Sequence, residues 1–309
     1  MHLRFYRLRF HFLAQAPIRF APGMAANTLR GAFGCIFRQI ACVPQCAEAK
    51  TCDLRDSCAY ARIFEPIAAG AGPSGLADPP RPFVFRAAHL DGRTLPTGSP
   101  FHFDVHLFLL RDTAIAYFVL AFAQLVRQGL GPGRAQAALT RVDQLDPAGE
   151  AIQRIFDGAT LHAAARAEPS SLPLEMPRDP VHSLHVRFVT PMELKSGHQL
   201  AERPEFGILL ARIRDRLSTL GALYGSGPLE MDFAAFGLRA SAVAMTRCEL
   251  THETVTRFST RTRQSHPLGG FTGIAEYAGD LTEFVPFLVA AQFAGVGRQT
   301  TWGKGEIAI

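Results

Sequence analysis

Lysine is nearly missing from this chain: 29 of its 32 cationic residues are arginine, and only Lys50, Lys195 and Lys304 are lysine. Arginine presents a planar fork that grips phosphate and stacks on bases, where lysine is a point charge. With a net charge of +5, this composition suits a polyanionic partner. A long apolar run is also missing. The longest, Ala114–Ala123, has ten residues, against the roughly 20 that a membrane helix needs. No membrane partner is therefore expected. The first ten residues scatter Arg4, Arg7 and Arg9 where a signal peptide needs an apolar stretch. A cytoplasmic location with reduced thiols is the expectation. Histidine is absent between residues 12 and 88. Disorder along the whole length is excluded, because 48% of the residues are apolar and 19% charged, an ordinary globular balance.

What is present reads as two α+β halves. From Arg7 to Phe12, Arg7, Arg9 and His11 alternate with Leu8, Phe10 and Phe12, the period of a strand. Asn27 or Thr28 is placed to cap a helix whose apolar face is Leu29, Phe33, Ile36, Phe37 and Ile40. Strand-like runs follow at Pro82–Ala88 and Phe101–Phe108. In the second, His102, Asp104 and His106 read as a polar sheet face. An apolar helix over Thr113–Gln128 comes next, and a Pro- and Ser-rich stretch at 166–182 marks a boundary. The second half runs strand (Ser183–Val189), helix (from Phe206), strand (Gly237–Phe258), strand (Gly269–Tyr277), helix (Phe284–Phe293, behind Asp280 and Glu283 as a capping pair) and strand (Gly303–Ile309). That is the ferredoxin-like order. The expected organisation is two tandem ferredoxin-like domains, residues 1–180 and 181–309, with a Cys-rich, metal-binding insertion at about 42–64 in the first.

That insertion carries Cys42, Cys46, Cys52 and Cys58 within seventeen residues. Four thiolates can close a tetrahedral site, and in a reducing compartment such a cluster favours a metal over disulfides. Structural Zn²⁺ is the expected ion, ahead of an iron–sulfur cluster, because nothing nearby suggests redox chemistry. Cys35 and Cys248 read as packing residues. A second signal closes the chain: Gly295, Gly297, Gly303 and Gly305 surround Arg298, Trp302 and Lys304. Glycine lets a backbone approach a phosphate chain closely. The P-loop pattern is absent, and the loop precedes a strand instead of a helix.

These segments together carry a resemblance. Leu29-Arg30-Gly31-Ala32-Phe33-Gly34 precedes the cysteines and then Cys58-Ala59-Tyr60-Ala61-Arg62-Ile63-Phe64-Glu65. Thr190-Pro191, Leu194-Lys195, Ser259–Gln264, Gly269-Gly270-Phe271-Thr272-Gly273 and the Gly295–Gly305 loop follow in order. In that order the chain resembles the CRISPR-associated endoribonucleases of the RAMP superfamily, which process precursor CRISPR RNA. The resemblance covers both ends well and residues 66–180 poorly. It implies tandem ferredoxin-like folds, binding of CRISPR repeat RNA, and partnership with subunits of a CRISPR effector complex. It also implies cleavage without a metal cofactor, in which the ribose 2′-hydroxyl attacks the adjacent phosphate. Many relatives carry a catalytic histidine on the first helix or just after the first strand, and this chain has none there. His266, among Arg261 and Arg263, is then the first choice for the general base, and His198 the second. Arg261, Arg263, Arg298 and Lys304 are expected to bind phosphate, with Gly295, Gly297, Gly303 and Gly305 shaping the loop around it. A non-catalytic RAMP-type subunit is the alternative, and a zinc-dependent interaction protein without an RNA role is a third.

Overall fold

The structure is a computed structural model that describes residues 2–43, 46, 48–67, 79–110, 114–131, 133–162, 167–254, 256–259 and 264–309. Two compact units divide it, one over Arg4–Ser171 and the other over Leu172–Ile309 with the first three residues.

In the first unit the chain runs β1 (His2–Ala14), α1 (Ala25–Ala41), α2 (Ala59–Ile63), β2 (Phe83–Arg86), β3 (Pro100–Leu107), α3 (Ala114–Ala123), β4 (Ala137–Leu145) and β5 (Ala151–Phe156). The sheet order is β2-β3-β1-β4-β5, antiparallel throughout. The first four strands with α1 and α3 form a ferredoxin-like βαββαβ unit, and β5 extends its edge. Strand alternation sorts the two faces. Leu8, Phe10 and Phe12 of β1 and Phe103 and Val105 of β3 are buried. Phe10 stacks on Phe103 at 5.5 Å and meets Phe122 of α3 at 5.1 Å. Phe33 of α1 lies flat on Phe118 of α3 at 4.1 Å. Each such ring, fully buried, contributes roughly 2–3 kcal/mol.

The motif around Phe33 has a packing cause. A Cβ at Gly34 would come within 2.2 Å of the Phe64 ring, so only glycine lets that ring seat against α1. The Arg30 guanidinium covers the same ring at 4.6 Å. Helix α1 starts two residues before Asn27. Asp91, far along the chain, accepts from the Ala25 N–H at 2.8 Å and supplies the cap that Asn27 or Thr28 was expected to give. Cys35 lies exposed on that helix, not in the packing.

In the second unit β6 (Ser183–Met192), α4 (Phe206–Tyr224), α5 (Phe233–Ser241), β7 (Ala244–Glu253), a hairpin of β8 (Thr256–Ser259) and β9 (Gln264–Pro267), β10 (Gly270–Ala278), α6 (Val285–Ala294) and β11 (Ile307–Ala308) follow in turn. The sheet order β7-β10-β6-β11 is again ferredoxin-like. Phe206, Leu209, Leu210, Ile213, Leu217 and Leu220 form the buried stripe of α4. The continuous strand expected over Gly237–Phe258 does not form. Gly237 belongs to α5, which Asp232 starts by accepting from the Ala234 and Ala235 N–H groups, both at 3.0 Å. Nor do Asp280 and Glu283 cap α6. A short 3-10 turn, Thr282–Phe284, leads into it, and Glu283 pairs with Arg239 instead.

Candidate nucleic-acid interface

The face of the first sheet opposite the helices is built of charge. Antiparallel register sets His11 of β1 between His102 of β3 and Arg141 of β4, and Arg9 between Asp104 and Asp143. Two carboxylates organise this face. Asp104 is 6% exposed; it accepts from Arg9 Nε at 2.7 Å and from Arg7 Nε at 3.2 Å. Asp143 is 4% exposed; it accepts from Arg154 Nε at 2.9 Å and forms an ion pair with Arg141, whose Nε lies 2.7 Å away. Burial would raise the Asp104 carboxyl, but the Arg9 hydrogen bond and charge outweigh it, with His106 and Arg7 adding to them. Asp104 therefore sits below the ordinary carboxylate range and stays charged. Arg7, Arg9 and Arg154 are thus held by hydrogen bonds from Nε, and Arg141 by its charge.

An open cleft of about 500 Å³ lies at this end of the sheet, lined among others by His11, His102, Thr140, Arg141, Arg154 and Asp157. The His11 and His102 rings face each other with centroids 6.0 Å apart. Arg141 Nη2 lies 3.2 Å from His11 Nε2. Behind His102, His89 stacks at 4.7 Å, and its Nε2 lies 2.9 Å from the His102 carbonyl oxygen. His11 is held below the ordinary imidazole range by burial first and then by Arg141, against the opposing pull of Asp143. His102 is lowered by burial, then by His89 and Arg9, against Asp104. Both rings are therefore neutral at pH 7 and offer a basic nitrogen beside fixed guanidinium groups. Of the trio expected to form a polar sheet face, His106 and Asp104 are buried, at 4% and 6% exposure.

The residues singled out in the sequence fall elsewhere. His198 is exposed at the tip of a small hairpin made by Lys195–Ser196 and Gln199–Leu200. His266 lies on β9, paired in register with Arg257 of β8. Arg261 and Arg263 lie outside the described residues. The glycine loop folds back on β6. Val296 N–H donates to the Gly305 carbonyl at 2.9 Å, and Gly305 N–H donates to the Pro191 carbonyl at 3.1 Å. Arg298 donates to Glu193 at 3.0 Å and is half exposed. The Lys304 side chain is turned inward, 2% exposed. Gly295, Gly297, Gly303 and Gly305 all have positive φ, and a Cβ at Gly297 would meet the Glu193 carbonyl oxygen at 2.3 Å. The loop's glycines thus serve its own close packing.

Of the cysteines, Cys42 ends α1. Burial first, and then the Cys58 and Cys46 thiols beside it, push the Cys42 thiol up to about 12. Cys46 is raised by lost hydration and by a hydrogen bond with Cys52. Among the described residues no group of three or more histidine, cysteine or acidic side chains is set closely enough to hold a metal ion. Nor is any described helix long and apolar enough to cross a membrane.

Known proteins place this architecture. Residues 3–169 match the N-terminal domain family AF_1859_N, and residues 186–307 match the family of the CRISPR-associated endoribonuclease Cas6. No curated protein matches in sequence. Among solved structures, a Cas6 (TTHB231) product complex is similar with a TM-score of 0.56 at 16% identity, covering 99% of both chains. Thermus thermophilus Cas6 (TTHB231) gives 0.54 at 16%, covering 100% of this chain and 98% of that one. A Cas6 (TTHA0078) product complex gives 0.52 at 19%, covering 99% and 98%. At such identities these likenesses speak for the fold, which is the tandem ferredoxin-like one described above. The chain thus joins an N-terminal domain of the AF_1859_N family, to which more than half of its length belongs, to a C-terminal domain of the CRISPR-associated endoribonuclease Cas6 family.

Proposed function

We propose that this protein binds CRISPR repeat RNA and cuts it to yield guide RNAs, using the ribose 2′-hydroxyl as nucleophile and no metal ion in the chemistry. The Cas6 family match over residues 186–307 carries this reading. The arginine-rich sheet face of the first unit supports it. Attack of the 2′-oxygen on the adjacent phosphorus breaks the bond to the 5′-oxygen. The products are a 2′,3′-cyclic phosphate and a 5′-hydroxyl. Such a reaction needs a proton acceptor, a proton donor and cations on the phosphorane. Imidazole suits the first two roles near neutral pH and arginine the third. RNA contacts are proposed for Arg261, Arg263, Arg298 and the Gly295–Gly305 loop, in addition to the arginines of the first unit's sheet. The affinity for repeat RNA should then fall steeply as salt rises, because each neutralised phosphate releases counterions. Binding that does not change between low and physiological salt would contradict an RNA role. Other subunits of a CRISPR effector complex are proposed as protein partners.

The cysteines are proposed as a structural staple closed by one zinc ion. Four thiols within seventeen residues support this, with Cys46 and Cys58 as the neighbours that raise the Cys42 thiol. An ion would have to draw the four round one centre. Elemental analysis of the purified protein is expected to find about one zinc per chain. A metal-free, stably folded protein would remove the staple, and a brown colour would replace zinc with iron–sulfur.

A further inference from the structure

We propose that the cleft lined by His11 and His102 is the cleavage centre, with these two imidazoles as the acid–base pair and Arg141 and Arg154 on the scissile phosphate. The inference rests on the endoribonuclease reading and assigns its chemistry to residues of the first sheet.

The geometry suits one phosphodiester. In-line displacement puts the attacking and leaving oxygens on opposite sides of phosphorus, so donor and acceptor must flank it. The two rings stand next to each other with centroids 6.0 Å apart, so a phosphodiester lying over the pair in the open cleft, not between the rings, can set one apical oxygen against each imidazole. Arg141 stands beside His11, and Arg154 lines the same cleft. Asp143 holds both guanidinium groups at the cleft, Arg154 by a hydrogen bond from Nε and Arg141 by an ion pair, so their position does not depend on RNA. His89 fixes His102 from behind by stacking and by its contact with the backbone carbonyl. The charged and titratable groups facing the pair are Arg9, Arg141, Asp143 and His102 for His11, and His89, Arg9 and Asp104 for His102, with Arg154 and the Asp157 carboxylate on the wall of the same cleft.

Protons and bonds balance as follows. One imidazole takes the 2′-hydroxyl proton as the 2′-oxygen–phosphorus bond forms. The other, protonated, gives its proton to the 5′-oxygen as the phosphorus–oxygen bond breaks. A phosphate entering beside Arg141 and Arg154 offsets their charge and lets one ring hold that proton. The arrangement also accounts for a first helix without histidine. The imidazoles are supplied by β1 and β3, which are neighbours in the sheet although 91 positions apart in sequence.

The test is single-turnover cleavage of cognate repeat RNA by the full-length protein and by His11→Ala, His102→Ala and His266→Ala. Removing either member of the pair should slow cleavage by about 100-fold or more, while RNA affinity changes only a few-fold. Added imidazole should restore part of the His11→Ala or His102→Ala rate, which a purely structural role would not allow. His11→Gln and His102→Gln retain polar side chains at the face and should be equally slow. Circular dichroism of each variant separates loss of chemistry from loss of fold. Wild-type rates in both pair variants would overturn the assignment while leaving the ribonuclease reading intact. Loss confined to His266→Ala would do the same and move the chemistry to the β8–β9 hairpin. A wild-type protein that never cuts the RNA would overturn the ribonuclease reading itself.

Discussion

Asp143→Asn is expected to lower the thermal midpoint by several degrees and to slow RNA cleavage by about tenfold or more. The carboxylate is 4% exposed and serves Arg141, Arg154 and, at 3.4 Å, His11. A neutral amide has one acceptor oxygen in place of two and carries no charge against the two guanidinium groups. Removing one partner of a fully buried ion pair costs about 3–5 kcal/mol. Here the Arg141 and Arg154 side chains are 41% and 51% exposed. Solvent screening brings the expected loss to about 2 kcal/mol. For a unit of this size that is roughly 4–8 °C in midpoint. The kinetic effect has a separate origin. Arginines released from Asp143 no longer stand at fixed positions round the cleft, and small misplacement of a positioned group is costly in rate. Thermal melts and single-turnover rates read the two effects independently. A variant with both values unchanged would mean that Asp143 organises nothing.

Gly305→Ala should destabilise the second unit more severely. The residue has φ +69°, and a Cβ there would stand 1.9 Å from the Val296 carbonyl oxygen. That contact is with backbone, so no side-chain rotation relieves it. The same segment bonds Val296 to Gly305 and Gly305 to Pro191 before β11 pairs with β6. Opening it would release the last strand of the sheet. The expected cost is about 3 kcal/mol or more, from the strained φ and the lost hydrogen bonds. It is visible as a lowered midpoint and as early proteolysis of the C-terminal segment. A wild-type midpoint would mean that the loop can repack around a methyl group.

Much of the fold was legible in local pattern. The period-two alternation from Arg7 to Phe12 marked both the strand and its two faces, and the stripe from Phe206 to Tyr224 marked α4. Both ferredoxin-like orders follow from such elements in sequence. Elements fixed by distant groups were not legible in the same way. Asp91 caps α1 from sixty-six residues away, so the local candidates Asn27 and Thr28 misplaced its start. Gly237 weakened the helical signal of α5, although Asp232 stood ready as its cap. The same limit applies to the cleft. His11, His102 and Arg141 become neighbours only through the register of β1 with β3 and β4, and no spacing in the sequence encodes that register. The alternation of His102 with its apolar neighbours was the one local sign, and by itself it describes any sheet face. The glycine loop was visible as a motif, but its role in closing against β6 depends on backbone contacts with Pro191 and Glu193.

The proposed ribonuclease performs the cleavage with its own side chains. The most direct measurement is to incubate the purified protein with its cognate repeat RNA in EDTA and to map the ends of the products. The account predicts one discrete cut, with a cyclic phosphate on the upstream fragment and a hydroxyl on the 5′ end of the downstream fragment. Tight binding without any cut would contradict it, and would make the protein an RNA-holding subunit instead.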